Sequence, residues 1–515
     1  RRFLMAESRQ RIMEDEYVLS GREAEKRILE VALQVAGRVQ TTMGPLGRDK
    51  LLVDRHGNRM LTNDGANILK HTEFDSPIAA IIIDVAKAQE KLYYDGTTTC
   101  VVLVGELMRL ADQLIEQGVH PNTIIDGYNM ALQFCKSILP EYSESIYKSE
   151  EWDATESAIQ AVKTTLTGKS AEVELEHLSN VCVEATKHAK PEDIKILKQH
   201  GEVIETEFIK GVVLQNLPVT NDMPKVVQGR VLCLDEEFAA PQANVTLNDP
   251  DKIQQILNNQ EAYLSNRVDL IKELQVKFVV CQKGIDSKVR TKLAKAGILA
   301  VRNVRKSDMI QIAELCGATI VTDIGALESN DVGDAEATVC DMGYIVVESD
   351  KKQTATIIIR APTEQGADEL HRGLEDAVGV AFLTSKNPNL LPGAGQTQAF
   401  LHDRIRRTKW DAVWTSKQIA AANAFADALM IIPRTLAESA GLDTMETIVQ
   451  LLREPGSYGV HAKGREVMSM NSVVEPMELV VGAMSGAVDA VTSLLRTDAL
   501  YLARRLEVWE QGGFN

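Results

Sequence analysis

The residues best suited to chemistry lie in one stretch, Tyr94-Asp95-Gly96-Thr97-Thr98-Thr99. It joins two apolar-periodic segments, 78–92 and 101–115, so the three threonines fall at the start of the second. The first N–H groups of a helix lack partners and the dipole is positive there, which makes such a start an anion site. Asp95 and the flexible Gly96 just ahead of it suit a divalent cation riding on a phosphate. Taken alone, the stretch reads more readily as a Thr-rich N-cap after a turn, since threonine caps many helices.

The elements around it repeat the pattern of helix followed by glycine-rich turn. Ser20-Gly21-Arg22-Glu23 is a capping-box pattern, opening a helix with Ile28, Val31, Ala32, Val35, Ala36 and Val39 on one face. That helix runs out at Thr41-Thr42-Met43-Gly44-Pro45-Leu46-Gly47, where glycine lets a ligand approach the backbone closely. Residues 51–54 and 59–62 flank His56-Gly57-Asn58 as a β-hairpin, and Asn63-Asp64-Gly65-Ala66 follows. Asp64 by itself reads as a structural turn residue. Ser76-Pro77 has the cap-plus-proline signature of a helix start. After Gly118-Val119-His120-Pro121 a further helix runs to about Leu139, ahead of Pro140. Gly168-Lys169-Ser170 resembles the end of a P-loop, but Lys163 stands where that motif needs glycine, so a kinase-like P-loop is disfavoured.

The chain is helical and charged from about 140 to 198, then changes near Phe208 to short apolar strands alternating with helices, a compact α/β arrangement. Within it, 251–274 is a helix too long for an ordinary crossover, either a projecting arm or a packed helix. Thr356-Ile357-Ile358-Ile359-Arg360 is a returning strand, followed by a helix from Glu364 through Asp376 to Phe382 and a second glycine-rich turn, Pro392-Gly393-Ala394-Gly395. The last third is again helical. Helical texture at both ends around an α/β middle implies nested, discontinuous domains.

A length of 515 residues exceeds what one core supports. With 56 basic against 73 acidic residues the net charge is −17, which argues against general nucleic-acid binding. Seven scattered cysteines with no C-x-x-C pair read as buried reduced thiols and point to the cytosol. No apolar run is read as approaching a membrane span of about 18 residues. The N-terminus lacks the apolar block of a signal peptide, and Arg1 implies a start further upstream.

In combination these stretches resemble the group II chaperonins, the thermosome and eukaryotic cytosolic chaperonin family. The likeness runs in order over nearly the whole chain and includes the turns at 41–47, 62–66 and 95–99. It continues through Glu207-Phe208-Ile209-Lys210-Gly211-Val212-Val213, Cys281-Gln282-Lys283-Gly284-Ile285-Asp286, Ala296-Gly297-Ile298-Leu299-Ala300-Val301, Ala424-Phe425-Ala426-Asp427-Ala428-Leu429 and Ile432-Pro433-Arg434-Thr435-Leu436-Ala437-Glu438. The resemblance implies a multidomain α/β fold: a mainly helical equatorial ATP-binding domain (1–136 and 392–515), a small intermediate domain (137–209 and 359–391) and an α/β apical domain (210–358). The apical domain would carry a helical protrusion at about 245–275, a built-in lid that makes a detached co-chaperonin unnecessary. Further implications are two stacked rings of about eight subunits each, non-native protein clients, ATP with Mg²⁺ (and K⁺) as cofactors, a cytoplasmic location, and neither nucleic acid nor membrane as partner.

By the same resemblance, Asp95 is the Mg²⁺ ligand and Gly96, Thr97, Thr98 and Thr99 surround the phosphates. Thr42, Met43, Gly44, Pro45, Asn63, Gly393, Ala394 and Gly395 line the nucleotide, Lys169 lies in a loop sensing the γ-phosphate, and Glu475 is an acidic nucleoside contact. Asp64 and Asp376 correspond to the carboxylates that orient and polarise the attacking water, Asp376 from the intermediate domain. The chain departs from the family pattern at Tyr94 and Ala394, where glycine is usual, and at Leu46 and Arg48. Bulk at Tyr94 and Ala394 is expected to weaken nucleotide affinity or slow turnover, and the divergence implies an outlying branch of the kind called group III. It also keeps open a nucleotide-binding ring scaffold or holdase without productive cycling.

Overall fold

The computed structural model describes residues 16–53, 57, 59–72, 74, 76–150, 153–240 and 250–503. The chain divides into two compact units, one drawn from both ends (Arg1–Leu175 and Gly379–Asn515) and one from the middle (Glu176–Val378). The tip of the expected hairpin and the residues just before the long middle helix lie outside the described residues.

The first unit takes α1 (Arg22–Gln40), α2 (Gly65–His71), α3 (Pro77–Tyr93), α4 (Thr97–Glu116), α5 (Pro121–Glu150) and α6 (Ala154–Leu166) from the first segment. Strands β1 (Glu16–Ser20), β2 (Lys50–Val53) and β3 (Arg59–Thr62) accompany them. The middle unit holds α7 (Leu175–His188), α8 (Pro250–Glu273), α9 (Ser287–Lys295), α10 (Lys306–Cys316) and most of α11 (Glu364–Lys386). Its strands are β4 (Ile194–His200), β5 (Glu207–Lys210), β6 (Val212–Leu214), β7 (Val226–Leu234), β8 (Val276–Cys281), β9 (Leu299–Val301), β10 (Ile320–Val321), β11 (Gly333–Val339), β12 (Ile345–Glu348) and β13 (Ala355–Ala361). The returning segment adds α12 (Gln396–Arg407), α13 (Ser416–Leu429), α14 (Ile431–Ala440), α15 (Thr444–Arg453) and α16 (Met477–Leu495) to the first unit. With them come β14 (Leu390–Pro392), β15 (Gly459–His461), β16 (Glu466–Met468), β17 (Val474–Pro476) and β18 (Ala499–Ala503).

Helix α4 is the axis of the first unit. Residues 100–108 are buried without a break, the mark of a helix packed on every side. It packs against α1, α3, α13 and α16. The expected apolar face of α1 is buried as the spacing requires. At the α1–α4 crossing a Cβ on Gly105 would stand 2.5 Å from Ala36 Cβ, so the glycine sets how closely the two helices approach. The two chain ends meet as an antiparallel pair, β1 with β18.

In the middle unit β7, β8 and β9 are parallel and fully apolar in their cores, and β11, β12 and β6 extend the sheet antiparallel on the other side of β7. Strand β13 is buried from end to end and lies between β4, parallel, and β5, antiparallel. In α8 the second half buries Leu264, Val268 and Ile271, whereas Leu257 in the first half is 43% exposed.

Several local expectations are corrected. Ser20 is not the cap of α1: it is the last residue of β1, paired with Ala499, and Gly21 at φ 58° makes the turn with no side-chain cap. The helix expected to stop near Leu139 continues to Glu150, because Pro140 is exposed and the carbonyl one turn back can face water. The charged tract ends in a strand, β4, rather than in helix. Two segments do reach span length and apolarity, Ser416–Ala440 and Met477–Leu495, but 67% and 56% of their windows are buried in the core. All seven cysteines are free, six of them buried; Cys340 is half-buried.

Gly105→Val is expected to cost roughly 1–3 kcal/mol by overpacking the α1–α4 crossing. The check is a lower thermal midpoint for the purified variant.

Candidate functional site

The α3–α4 junction is a double left-handed turn: Tyr94 (φ 64°) caps the end of α3 and Gly96 (φ 81°) stands at the N-cap of α4. No side chain caps α4. The threonines therefore occupy its first turn and do not cap it, which corrects the simpler reading of the hexapeptide. Thr97 is buried and Thr98 and Thr99 are half-buried. Asp95 Oδ1 accepts from Gly96 N at 2.6 Å, which orients the carboxylate over the helix start. Gln89, 3% exposed, donates through Nε2 to the carbonyls of Asp95 (2.9 Å) and Leu479 (3.2 Å), clamping the loop to the start of α16.

Four other turns of the first unit carry most of the remaining expected site residues. Asp64 caps α2, accepting from Ala66 N (3.1 Å) and Asn67 N (3.3 Å), so the turn role read for it is realised and its carboxylate is held rigidly. A Cβ on Gly65 would collide with Thr98 Oγ1, which seats the Asp64 turn against the first turn of α4. Asn63 Nδ2 donates to Gly168 O at 3.0 Å, and a Cβ on Gly168 would lie 2.9 Å from Pro45 Cα. The loops carrying Asn63, Lys169 and the Gly44-Pro45 turn are thus in mutual contact. Thr42 spends its hydroxyl on Val39 O (2.7 Å), Met43 is buried, and a Cβ on Gly44 would collide with Leu436. Glu172 accepts from Gly168 N at 3.1 Å and pairs with Lys463, bracing the Lys169 loop.

The last turn comes from the other chain end. β14 pairs with β17, placing Leu391 opposite Glu475, and Gly393 N donates to Val473 O at 2.7 Å. A Cβ on Gly393 would stand 3.6 Å from Glu475 Cγ. Ala394 (φ 54°) and Gly395 (φ 84°) then turn into α12, with Val460 N donating to Ala394 O at 2.9 Å. Glu475 keeps part of its surface open yet lies deep among protein atoms; burial, with the negative charge of Asp95, pushes its carboxyl up to about 7. Asp376 is on α11 in the middle unit, so it is the one predicted site residue outside the unit that holds the rest.

The donor set fits a magnesium nucleotide. Backbone N–H groups at the bare start of α4 are available as anion donors, and glycine lets the Asp64 turn pack directly on that start, Gly65 against Thr98. The negative charge of Asp95 acts on the buried Glu475, and a cation beside them would relieve it. Among the described residues no group of three or more His, Cys, Asp or Glu holds a metal alone, whereas Mg²⁺ needs only one or two carboxylates beside phosphate oxygens. Sequence reading missed Gln89, Gly65 and Glu172. Gln89 had a signal: it continues the buried stripe Ile78, Ile82, Ala86 of α3, where a polar residue needs a partner.

The TCP-1/cpn60 chaperonin family matches residues 35–505. The chain belongs to that family. It is similar to a thermosome subunit of Methanopyrus kandleri, with 38% identity over 513 residues covering 94% of this chain and 93% of the relative. A thermosome subunit of Methanocaldococcus jannaschii shares 37% over 519 residues (96% and 95%), and the alpha subunit of Archaeoglobus fulgidus 36% over 514 (95% and 93%). These likenesses make the chain a group II chaperonin.

For this chaperonin the two departures from glycine, Tyr94 and Ala394, fall at left-handed backbone positions. A non-glycine residue there carries roughly 1–2 kcal/mol of strain. Ala394→Gly is expected to raise stability by about 1 kcal/mol, read as a higher thermal midpoint. Glu475 gives a pH dependence. Its folded carboxyl titrates near 7 against an ordinary 4.5, so the folded chain keeps a proton that the unfolded chain has lost. Stability from this group is full below the unfolded value and falls as pH rises through about 7. In magnesium- and nucleotide-free buffer, Glu475→Gln should flatten the loss of thermal midpoint between about pH 5 and pH 7.5.

Proposed function

We propose that this chain is a subunit of an ATP-driven folding chamber: a double ring of about eight subunits per ring that encloses non-native proteins, with α8 in a built-in lid. The observation that carries the reading is the bare start of α4, headed by Asp95 and packed against the Asp64 turn through Gly65. The likeness to thermosome subunits supports the same reading.

When bound, magnesium ATP supplies the transferable phosphoryl group and a charge-neutralising cation. Asp95 would hold that cation, while the N–H groups of Gly96 to Thr99 and the turn Thr42-Met43-Gly44-Pro45 would hold phosphate oxygens. Lys169 would report on the terminal phosphate, and Gly393, Ala394, Gly395, Asn63 and Glu475 would line the remainder. Asp64, held by its cap bonds, and Asp376 would orient water and accept its proton. Within this proposal the chain has equatorial, intermediate and apical domains, and Asp376 reaches the nucleotide only when the intermediate domain closes. Closure of the site and lid movement are then one event. The chaperonin works in the cytoplasm without a detached co-chaperonin.

The strained backbone at Tyr94 and Ala394 favours one alternative, a ring scaffold or holdase that binds nucleotide without productive cycling. One fraction of purified protein decides between them. We expect a particle near sixteen times the 56.7 kDa chain that hydrolyses ATP. Asp64→Ala and Asp376→Ala should each lower kcat by about 10²–10⁴-fold while leaving the particle mass unchanged. Rings with no hydrolysis would establish the scaffold, and a monomer would sink both.

A further inference from the structure

Two neighbouring aromatic rings flank the Asp95 loop, and each is seated against a glycine in the middle of a helix. A Cβ on Gly482 of α16 would collide with the ring of Tyr93, and a Cβ on Gly379 of α11 would collide with the ring of Tyr94. Glycine inside a helix is unfavourable without a packing reason, and here the reason is a notch for a ring. Tyr94 is held twice over. Its backbone is in the left-handed region, which a bulky residue adopts only under constraint, and its side chain is fixed on Gly379. Since Tyr94 precedes Asp95, its backbone angles set where the Asp95 carboxylate points.

Helix α11 is continuous from Glu364 to Lys386, so Gly379 follows Asp376 by three positions on one face of a single helix. The ring of Tyr94 is seated on the part of that helix that belongs to the first unit. We propose that Tyr94 is a positioning residue for hydrolysis, its ring in the Gly379 notch fixing the Asp95 loop at the start of α4. This rests on the ATPase reading above. It reverses the expectation from bulk alone, in which Tyr94 obstructs the nucleotide: the ring costs backbone strain and in return fixes the Asp95 loop within the first unit.

The test is steady-state ATPase on assembled wild type, Tyr94→Gly, Tyr94→Phe, Gly379→Ala and the double variant Tyr94→Gly/Gly379→Ala, with particle mass and thermal midpoint alongside. Tyr94→Gly should lower kcat about tenfold with KM for ATP changed less than about twofold, because binding survives and alignment does not. Tyr94→Phe, which keeps the ring, should recover most of kcat. Gly379→Ala fills the notch and should lower kcat by a similar factor, and the double variant should be no worse than the poorer single one, since both break the same contact. Wild-type or higher kcat in Tyr94→Gly, or losses that multiply in the double variant, would overturn the proposal. If Tyr94→Gly fails to assemble, Gly379→Ala against Tyr94→Phe decides, and wild-type kcat in Gly379→Ala overturns it. An inactive wild type removes the hydrolysis reading and this inference together, whereas an active wild type with unaffected variants removes only the inference.

Discussion

The bare N-terminus of α4 is the constraint on which the first unit is built. A helix packed on every side offers no room to bend, and its leading N–H groups receive no side-chain cap. Those groups must find partners, and the surrounding chain is arranged so that the partners come from outside the helix. Two left-handed residues, Tyr94 and Gly96, turn the chain sharply enough to leave that end open. Gln89 holds the turn by gripping the Asp95 carbonyl, Gly65 brings the Asp64 turn onto Thr98, and Gly168 packs the Lys169 loop on Pro45. A nucleotide's charge and phosphate oxygens answer both demands at once.

The nested topology follows from the same demand. β17, which carries Glu475, belongs to the returning chain segment, yet Val474 N donates to Thr164 Oγ1 of the first at 3.2 Å, and β1–β18 pairing joins the ends. The middle unit is inserted between them with a core of its own, centred on β7, β8 and β13, so it needs nothing from the first unit to bury its apolar residues. Only α7 and α11 run through the boundary, and α11 carries Asp376. In the proposed function a carboxylate that serves hydrolysis is supplied on a connecting helix, so the chemistry would depend on that helix's position. In this arrangement domain geometry becomes a control on rate.

Much of this was legible in the sequence because it rests on periodicity and on glycine. The buried stripe of α1, the alternation of strands and helices after β5 and each glycine-rich turn have local causes that a sequence displays. What stayed hidden has non-local causes. Ser20 looked like a helix cap because its neighbours spell one, but pairing with Ala499, at the far end of the chain, makes it strand. Pro140 looked like a stop because nothing local says that its side of α5 faces water. β4 was read as the end of a charged helical tract; its fate is set by β13, whose Ala355 pairs with Ile194 from 161 positions further along the chain. The span-length apolar helices were overlooked for the opposite reason, since polar residues interrupt them while their mean hydropathy stays high.

Tyr94 and Ala394 show how one departure from glycine acts through the backbone as well as through bulk. Glycine at such a position suggests room for a ligand, so a larger residue suggests a clash. The backbone angles at both residues say otherwise: glycine is favoured there because φ is positive, whatever lies nearby. The substitution is then borne as backbone strain, spread into whatever contacts hold the residue in place. For Ala394 the hold is the hydrogen bond from Val460 N to its carbonyl together with contact against Gly459. For Tyr94 it is the ring against Gly379. A strained residue persists only where its surroundings over-determine it. Both turns are therefore stiffer than glycine would make them, and stiffness in a turn acts on alignment before it acts on affinity.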